Sequence, residues 1–352
     1  MKMTKRLFTG SMGALAVAAL MTGPTLAQNV EAEREAKASE MVDTAPFAHE
    51  GPYRVGVSAG YLSNSWVIFA LQQLRWEASK HDVEEIIVTD AAFNPAKQIS
   101  DIEDLLRQDI DLLIYWPVDD ASVEDVLARA IADGVPTVQA GGGFTAADST
   151  VANAYISQWK LGEMVARQLV EDMGGEGKIV AMLPIAGTVA AVEQLGALEA
   201  VIAEHPGIEL AAVEYGDWNR AKAKQITENM LQRFPRIDGV FSPAGQMSIG
   251  MAEAFDEAGR LEEVTFSPGD EFNGWLKWVA EHGQGGAVTF PTKAGSVALQ
   301  VGLDILQGNE VRRGLAVPSE YIAPADIGAY VDMDAPDDWW ATDLPADFLP
   351  QQ

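Results

Sequence analysis

The chain has 352 residues, a formal net charge of −28 and no cysteine. Hydrophobic residues make up 48% and charged residues 22%, a globular balance that excludes a disordered chain. The acidity argues against nucleic-acid and anionic-membrane partners; the missing cysteine excludes disulfides, thiol catalysis, thiolate zinc sites and lipid attachment through a cysteine.

The first segment carries an address. Lys2, Lys5 and Arg6 precede an apolar run over 13–21, and Pro24 then leads to the small-residue site Thr25-Leu26-Ala27. This pattern predicts a secretory signal over 1–27 rather than a membrane anchor, because the run is shorter than the ~20 residues a span requires. Its removal would take the charge from −28 to −31, since residues 1–27 hold three bases and no acids. A soluble exported protein with no lipid anchor implies a bacterial periplasm. Residues 28–51 read as a polar lead-in, partly helical or disordered, with no assigned role.

From residue 52 onward, short β-branched runs alternate with helical stretches. Strands are predicted at 53–58, 85–89, 111–116, 136–139, 178–183, 210–215, 239–242, 264–267 and 287–290. Between the second and third, Ile99, Ile102, Leu105 and Leu106 mark one face of a helix. Asn94 and Pro95 supply its cap and first turn. Alternation of this kind predicts parallel strands with crossover helices, and the length suits two smaller sheets better than one of nine strands.

Chemistry-bearing residues are sparse. His81, His205 and His282 each follow a predicted helix and complement its negative end. His49 lies in the lead-in, and no His-x-x-x-His spacing offers a metal site. Gly56-Val57-Ser58-Ala59-Gly60 matches the nucleophile-elbow pattern, but no helix starts directly after Ser58; a loop leaving the first strand is expected instead. Gly141-Gly142-Gly143-Phe144-Thr145-Ala146 fits a dinucleotide fingerprint only loosely, and a tight cleft loop is expected there. No catalytic residue, metal ligand or cofactor is assigned.

In doubly wound sheets ligands bind beyond the strand carboxyl ends. The residues there are rich in aromatics and nearly free of charge: Tyr61, Asn64, Trp66, Phe93, Trp116, Trp218, Asp270 and Phe290. Aromatic faces suit the C–H face of a sugar ring or a cationic group. Asp270 is equally well placed to cap a helix over 271–282.

The stretches Val55-Gly56-Val57-Ser58, Ser63-Asn64-Ser65-Trp66, Asn94-Pro95-Ala96-Lys97-Gln98 with Asp101-Ile102-Glu103-Asp104-Leu105, Trp116-Pro117-Val118-Asp119, Gly216-Asp217-Trp218-Asn219-Arg220 and Phe234-Pro235-Arg236-Ile237-Asp238-Gly239 occur in order over most of 52–325. On these the chain resembles the periplasmic ribose/galactose-type (type I) solute-binding proteins of ABC importers. The resemblance implies two doubly wound parallel-sheet α/β lobes, joined by three crossing strands near 153–157, 288–290 and 320–323. One lobe would comprise 52–155 plus 289–321, the other 156–288 plus 322–349, with Trp339-Trp340 in an appendage packing on a lobe. It implies a ligand between the lobes, held by Asn64, Trp66, Phe93, Trp116, Gly141, Tyr155, Trp218, Gln246, Asp270 and Phe290. Its partners would be a membrane permease and its ATPase, and the protein a monomer.

The departures from the family pattern shape the ligand. The Asp-Arg pair of aldopyranose binders is Gly141-Gly142 here, the expected helix arginine falls near Val192, an asparagine near Ala244, an amide near Phe93 and a glutamine at Phe290. Asn64, Trp66, Trp218 and Asp270 keep the family's residue types. The pocket is therefore expected to take a sugar or sugar-like molecule with fewer hydroxyls than a hexose, or to use Gln139, Gln246 and backbone instead. The alternatives are a periplasmic sensor accessory that presents a methylated amine or amine oxide to a histidine kinase, its box formed by Tyr61, Trp66, Tyr155 and Trp218, and a secreted esterase using Ser58.

Overall fold

The computed structural model describes residues 24–350. The expected export segment thus lies outside the described residues except for its last four, which form the first turn of a helix, Pro24–Ala38. Beyond that helix the lead-in pairs Met41–Val42 antiparallel with Val311–Arg312. Among the described residues no helix is long and apolar enough to cross a membrane.

Two all-parallel sheets carry the molecule. The larger has six strands in the order Gly314–Ala316, Ala152–Tyr155, Thr137–Ala140, Leu112–Trp116, Tyr53–Ala59 and Val83–Asp90. The smaller has four: Thr265–Phe266, Gly239–Phe241, Glu176–Leu183 and Gly207–Tyr215. Leu112–Trp116 and Thr137–Ala140 are buried at every position, and the first reads as a continuous apolar run rather than an alternating one.

All nine predicted strands are present, but the ninth, Ala287–Val288, joins neither large sheet. It lies between Gly269–Asp270, parallel, and Tyr321–Ile322, antiparallel. The chain passes between the two lobes three times, through 156–157, 289–293 and 317–320. The first crossing starts later than expected, because Ala152–Tyr155 is still paired on both edges within the large sheet.

Local signals act as the sequence suggests. Asn94 Oδ1 accepts from the Lys97 N–H at 3.1 Å and opens the helix Pro95–Leu106. Asn219 does the same for Lys222 at 2.9 Å, opening Arg220–Arg233 in the other lobe. Each cap follows two residues in the left-handed region, Ala92 and Phe93 (φ 49° and 60°) and Asp217 and Trp218 (φ 53° and 49°). Non-glycine residues rarely adopt this conformation, so the same strained turn has been built at the second strand end of both lobes.

The helix Ala294–Leu306 crosses Ser65–Ala78 so closely that a Cβ at Gly295 would sit 1.9 Å from the Ala70 carbonyl oxygen. The histidines complete helix ends: the rings of His205 and His282 hydrogen bond the carbonyls of Val201 and Trp278, and His81 meets Glu77 Oε1 at 2.8 Å. Ser58 is fully buried within its strand, with Gln98 Nε2 at 3.3 Å, so it is a core residue and no nucleophile.

The C-terminal appendage is more than a cover on one lobe. Trp339 packs edge-on against Phe69, and Trp340 donates from Nε1 to Ser65 Oγ at 2.8 Å, both on the first lobe. The neighbouring backbone accepts from Asn273 and Gly274 in the second lobe. The segment therefore straps the two lobes together.

Candidate ligand-binding site

A cleft of about 1000 Å³, its open mouth included, lies between the lobes at the carboxyl ends of both sheets. Its first-lobe wall comes from Tyr61, Asn64 and Trp66, from Trp116, Pro117, Val118 and Asp120, and from Gln139 to Gly143. Gln158, Thr188, Gln194, Trp218, Gln246 and Asp270 face them, with Phe290 and Trp340 at the junction.

Trp66 is the pillar of this site. Asn64 Oδ1 accepts from the Trp66 N–H at 2.9 Å, and that cap fixes the first turn of Ser65–Ala78. The indole Nε1 then donates to the Phe290 carbonyl at 2.7 Å, with the two rings edge to face at 5.2 Å. The indole also rests on Gly141, where a Cβ would come within 2.4 Å of the ring. Gly141 has φ +67°, a conformation only glycine adopts freely. Gly141 thus makes room for the indole. Gly141→Ala is expected to displace Trp66, lower stability by about 1–2 kcal/mol and weaken ligand binding, read by urea unfolding and calorimetric titration. A variant matching the parent in both would show that the indole does not depend on this glycine.

Aromatic rings flank the mouth. Tyr61 lies parallel to Phe93 at 4.5 Å and reaches across to Trp218 at 6.1 Å. Asp270 does not cap the helix that follows it, which begins at Asn273 with Phe272 in the cap position. Its Oδ1 accepts instead from the Gly245 N–H at 2.8 Å, at the start of Gly245–Glu257, and the Phe272 amide adds a second bond. Burial raises the Asp270 carboxyl to about 7 even against these two donors.

Eight of the ten expected site residues share this wall: Asn64, Trp66, Trp116, Gly141, Trp218, Gln246, Asp270 and Phe290. Phe93 does not, because its left-handed turn swings it to the rim, where it is 45% exposed on the outer face of Tyr61. Tyr155 points away too. It packs on Phe144 at 5.3 Å, beside Glu31 and Glu193, on the far side of its strand.

Sequence reading misses Asp120, Gln158, Thr188, Gln194 and Trp340. Asp120 also corrects the expectation of a nearly neutral lining, for the cleft holds two carboxylates and no lysine, arginine or histidine. Asp119 performs the helix cap, accepting from the Ser122 N–H at 3.1 Å, which leaves Asp120 free to face the cleft. Gln139 Nε2 donates to Asp120 Oδ1 at 3.1 Å, and Gln194 Nε2 donates to Gln158 Oε1 at 2.9 Å. Three buried polar atoms of the lining have no partner: Trp116 Nε1, a donor, and Gln139 Oε1 and Gln194 Oε1, both acceptors.

A family model for the periplasmic binding protein domain matches residues 55–310. The chain belongs to this family, as a ribose/galactose-type (type I) solute-binding protein. The ribose import binding protein RbsB of Bacillus subtilis is 26% identical over 269 residues, 76% of this chain and 86% of that one. A solved solute-binding protein of Bacillus halodurans with bound myo-inositol superposes with TM-score 0.74 at 22% identity, covering 80% of this chain and 98% of its own. One from Actinobacillus succinogenes with bound D-allose gives 0.72 at 20% identity, covering 79% and 100%. Periplasmic binding proteins of this kind bind substrates and are not enzymes, in keeping with the buried Ser58. Among the described residues no cluster of three or more histidine or acidic side chains is arranged to hold a metal.

Proposed function

We propose that this protein captures a sugar or cyclic polyol between its lobes in the periplasm and delivers it to an ABC permease driven by a separate ATPase. The observation that carries the reading is the set of unpaired buried atoms in the cleft: one donor on Trp116 and acceptors on Gln139 and Gln194. An unmet buried polar group costs about 1–3 kcal/mol, and a hydroxyl group meets either kind. Stacked aromatics around them suit the apolar face of a ring. The ligands of the related proteins, a ribose, an inositol and an allose by name, agree with this chemistry.

The lobes would be 52–155 plus 289–321 and 156–288 plus 322–349, hinged at the crossings and closing as ligand contacts both faces. Residues 1–27 would direct export and be removed. The methylated-amine reading is not favoured: a fully methylated cation offers no hydrogen to Gln139 or Gln194.

The test is a thermal-shift panel of pentoses, hexoses, inositols, betaine and trimethylamine N-oxide, with mass spectrometry of any molecule that co-purifies. A sugar or inositol is expected to raise the melting temperature, since a ligand that binds only the native state stabilises it. A response to betaine or trimethylamine N-oxide with none to any polyol would overturn the proposal.

A further inference from the structure

We infer that the polyol received here carries a protonated amine, seated where Asp120 and Gln139 meet beside Tyr61. The inference rests on the sugar-binding reading and narrows it. Asp120 and Asp270 are the two acids of the cleft, and they are not equivalent. Asp270 is compensated by the backbone N–H groups of Gly245 and Phe272. Among the described residues Asp120 has no ion-pair partner, and no base lines the cleft. One of its oxygens accepts from Gln139 Nε2 at 3.1 Å. Burial raises its carboxyl first, and the nearby charges of Asp119 and Glu124 add to this; Gln139 and the residue's own backbone N–H pull the other way, and no cationic side chain offsets the charge.

Gln139 adds the second observation. It lines the cleft, is only 3% exposed, and donates to Asp120, while its Oε1 is buried with no partner. The carboxylate therefore has one side-chain donor, Gln139 Nε2, and the amide oxygen beside it has none. A hydroxyl brings one hydrogen and no charge; it can pair with one of the two and leaves the carboxylate uncompensated. An ammonium group brings three hydrogens and the missing positive charge. Tyr61 lies close enough that, after burial, the charge of Asp120 is what raises its phenol to about 12, and its ring gives a cation an aromatic wall.

The experiment is calorimetric titration of the mature protein with pairs differing only in the amine: D-glucosamine against D-glucose, and scyllo-inosamine against scyllo-inositol. In at least one pair the amine is expected to bind about tenfold tighter or more, a difference of ~1.4 kcal/mol. Asp120→Asn is expected to lower the amine's affinity about tenfold more than it lowers the neutral partner's. Gln139→Leu should reduce the preference as well, and thermal unfolding shows that each variant is folded. Equal affinity within every pair that binds, or equal losses in Asp120→Asn, would overturn the amine while leaving the polyol reading standing. Binding of no member of either pair, together with a polyol-blind thermal-shift panel, would remove both.

Discussion

Trp66→Ala is expected to lower stability by about 3–5 kcal/mol, the range for emptying a buried tryptophan site, and to abolish measurable ligand binding. The indole is 6% exposed and joins three parts of the structure. It stands at the start of a first-lobe helix, rests on the strand-end glycine Gly141, and holds the Phe290 carbonyl in a crossing segment. On the far side of the same residue, the Phe290 amide donates to the Glu271 carboxylate of the second lobe. Phe290 is thus gripped from both lobes, and removing the indole releases one grip and hollows the cleft floor. Trp66→Phe separates the two effects. It restores most of the ring but leaves the Phe290 carbonyl unpaired, with an expected loss of about 1–3 kcal/mol. Urea unfolding with calorimetric titration reads both variants. A loss under about 1 kcal/mol in Trp66→Ala would show that the crossing segment is held by other contacts.

The fold was legible because its signals are local. Strand–helix alternation, the Asn94-Pro95 helix start and the histidines at helix ends each act within a few residues, and each is present. The cleft was legible only as far as position along a strand determines direction. Residues immediately after strands converge there, as Trp66, Trp116, Trp218 and Asp270 do. Phe93 and Tyr155 are the exceptions: one is turned outward by its backbone, and the other lies on the opposite face of a period-two strand.

The residues that were missed have a common cause. Gln158 and Gln194 lie on helix faces that are otherwise largely apolar. A polar side chain in such a run is a signal, because it is seldom buried without a partner. Asp120 hides behind Asp119, since one acid suffices for a cap and the second was free for another task. Trp340 is beyond any local reasoning: its indole bonds to Ser65, 275 positions earlier in the chain. The departures from the family pattern acquire a reason in the same way. At Gly141 the indole of Trp66 leaves no room for a side chain, and Gln139, Gln158, Gln194 and Asp120 bring polar groups to the cleft lining.

Stability should fall as pH rises from about 4 to about 8, and Glu271→Gln should flatten that fall. Burial is the main cause of the raised carboxyls of Glu271, to about 8, and of Asp270 and Glu193, each to about 7; the charge of Asp270 adds to the rise at Glu271. In the unfolded chain such groups titrate near 4. Between those values the folded protein binds more protons than the unfolded one, so unfolding releases protons and stability declines with rising pH. Glu77 has the opposite sign. Burial pushes it up, but hydrogen bonds from Gln300, Lys80 and His81 outweigh that and hold it at about 2, so its contribution is lost only in acid, below the window concerned. Glutamine at 271 keeps a carbonyl for the Phe290 amide and removes the titrating proton. At pH 8 the variant is expected to exceed the parent by about 1–3 kcal/mol, and near pH 5 the two should converge. Chemical denaturation at four pH values between 5 and 8.5 decides it, because parallel curves for parent and variant would mean that the Glu271 carboxyl does not drive the decline. If the curves do separate, Asp270 acquires a functional consequence. A ligand that donates to it binds the ionised form more strongly than the neutral one, so binding near neutral pH should release protons, and heats measured in buffers of different ionisation enthalpy will diverge accordingly.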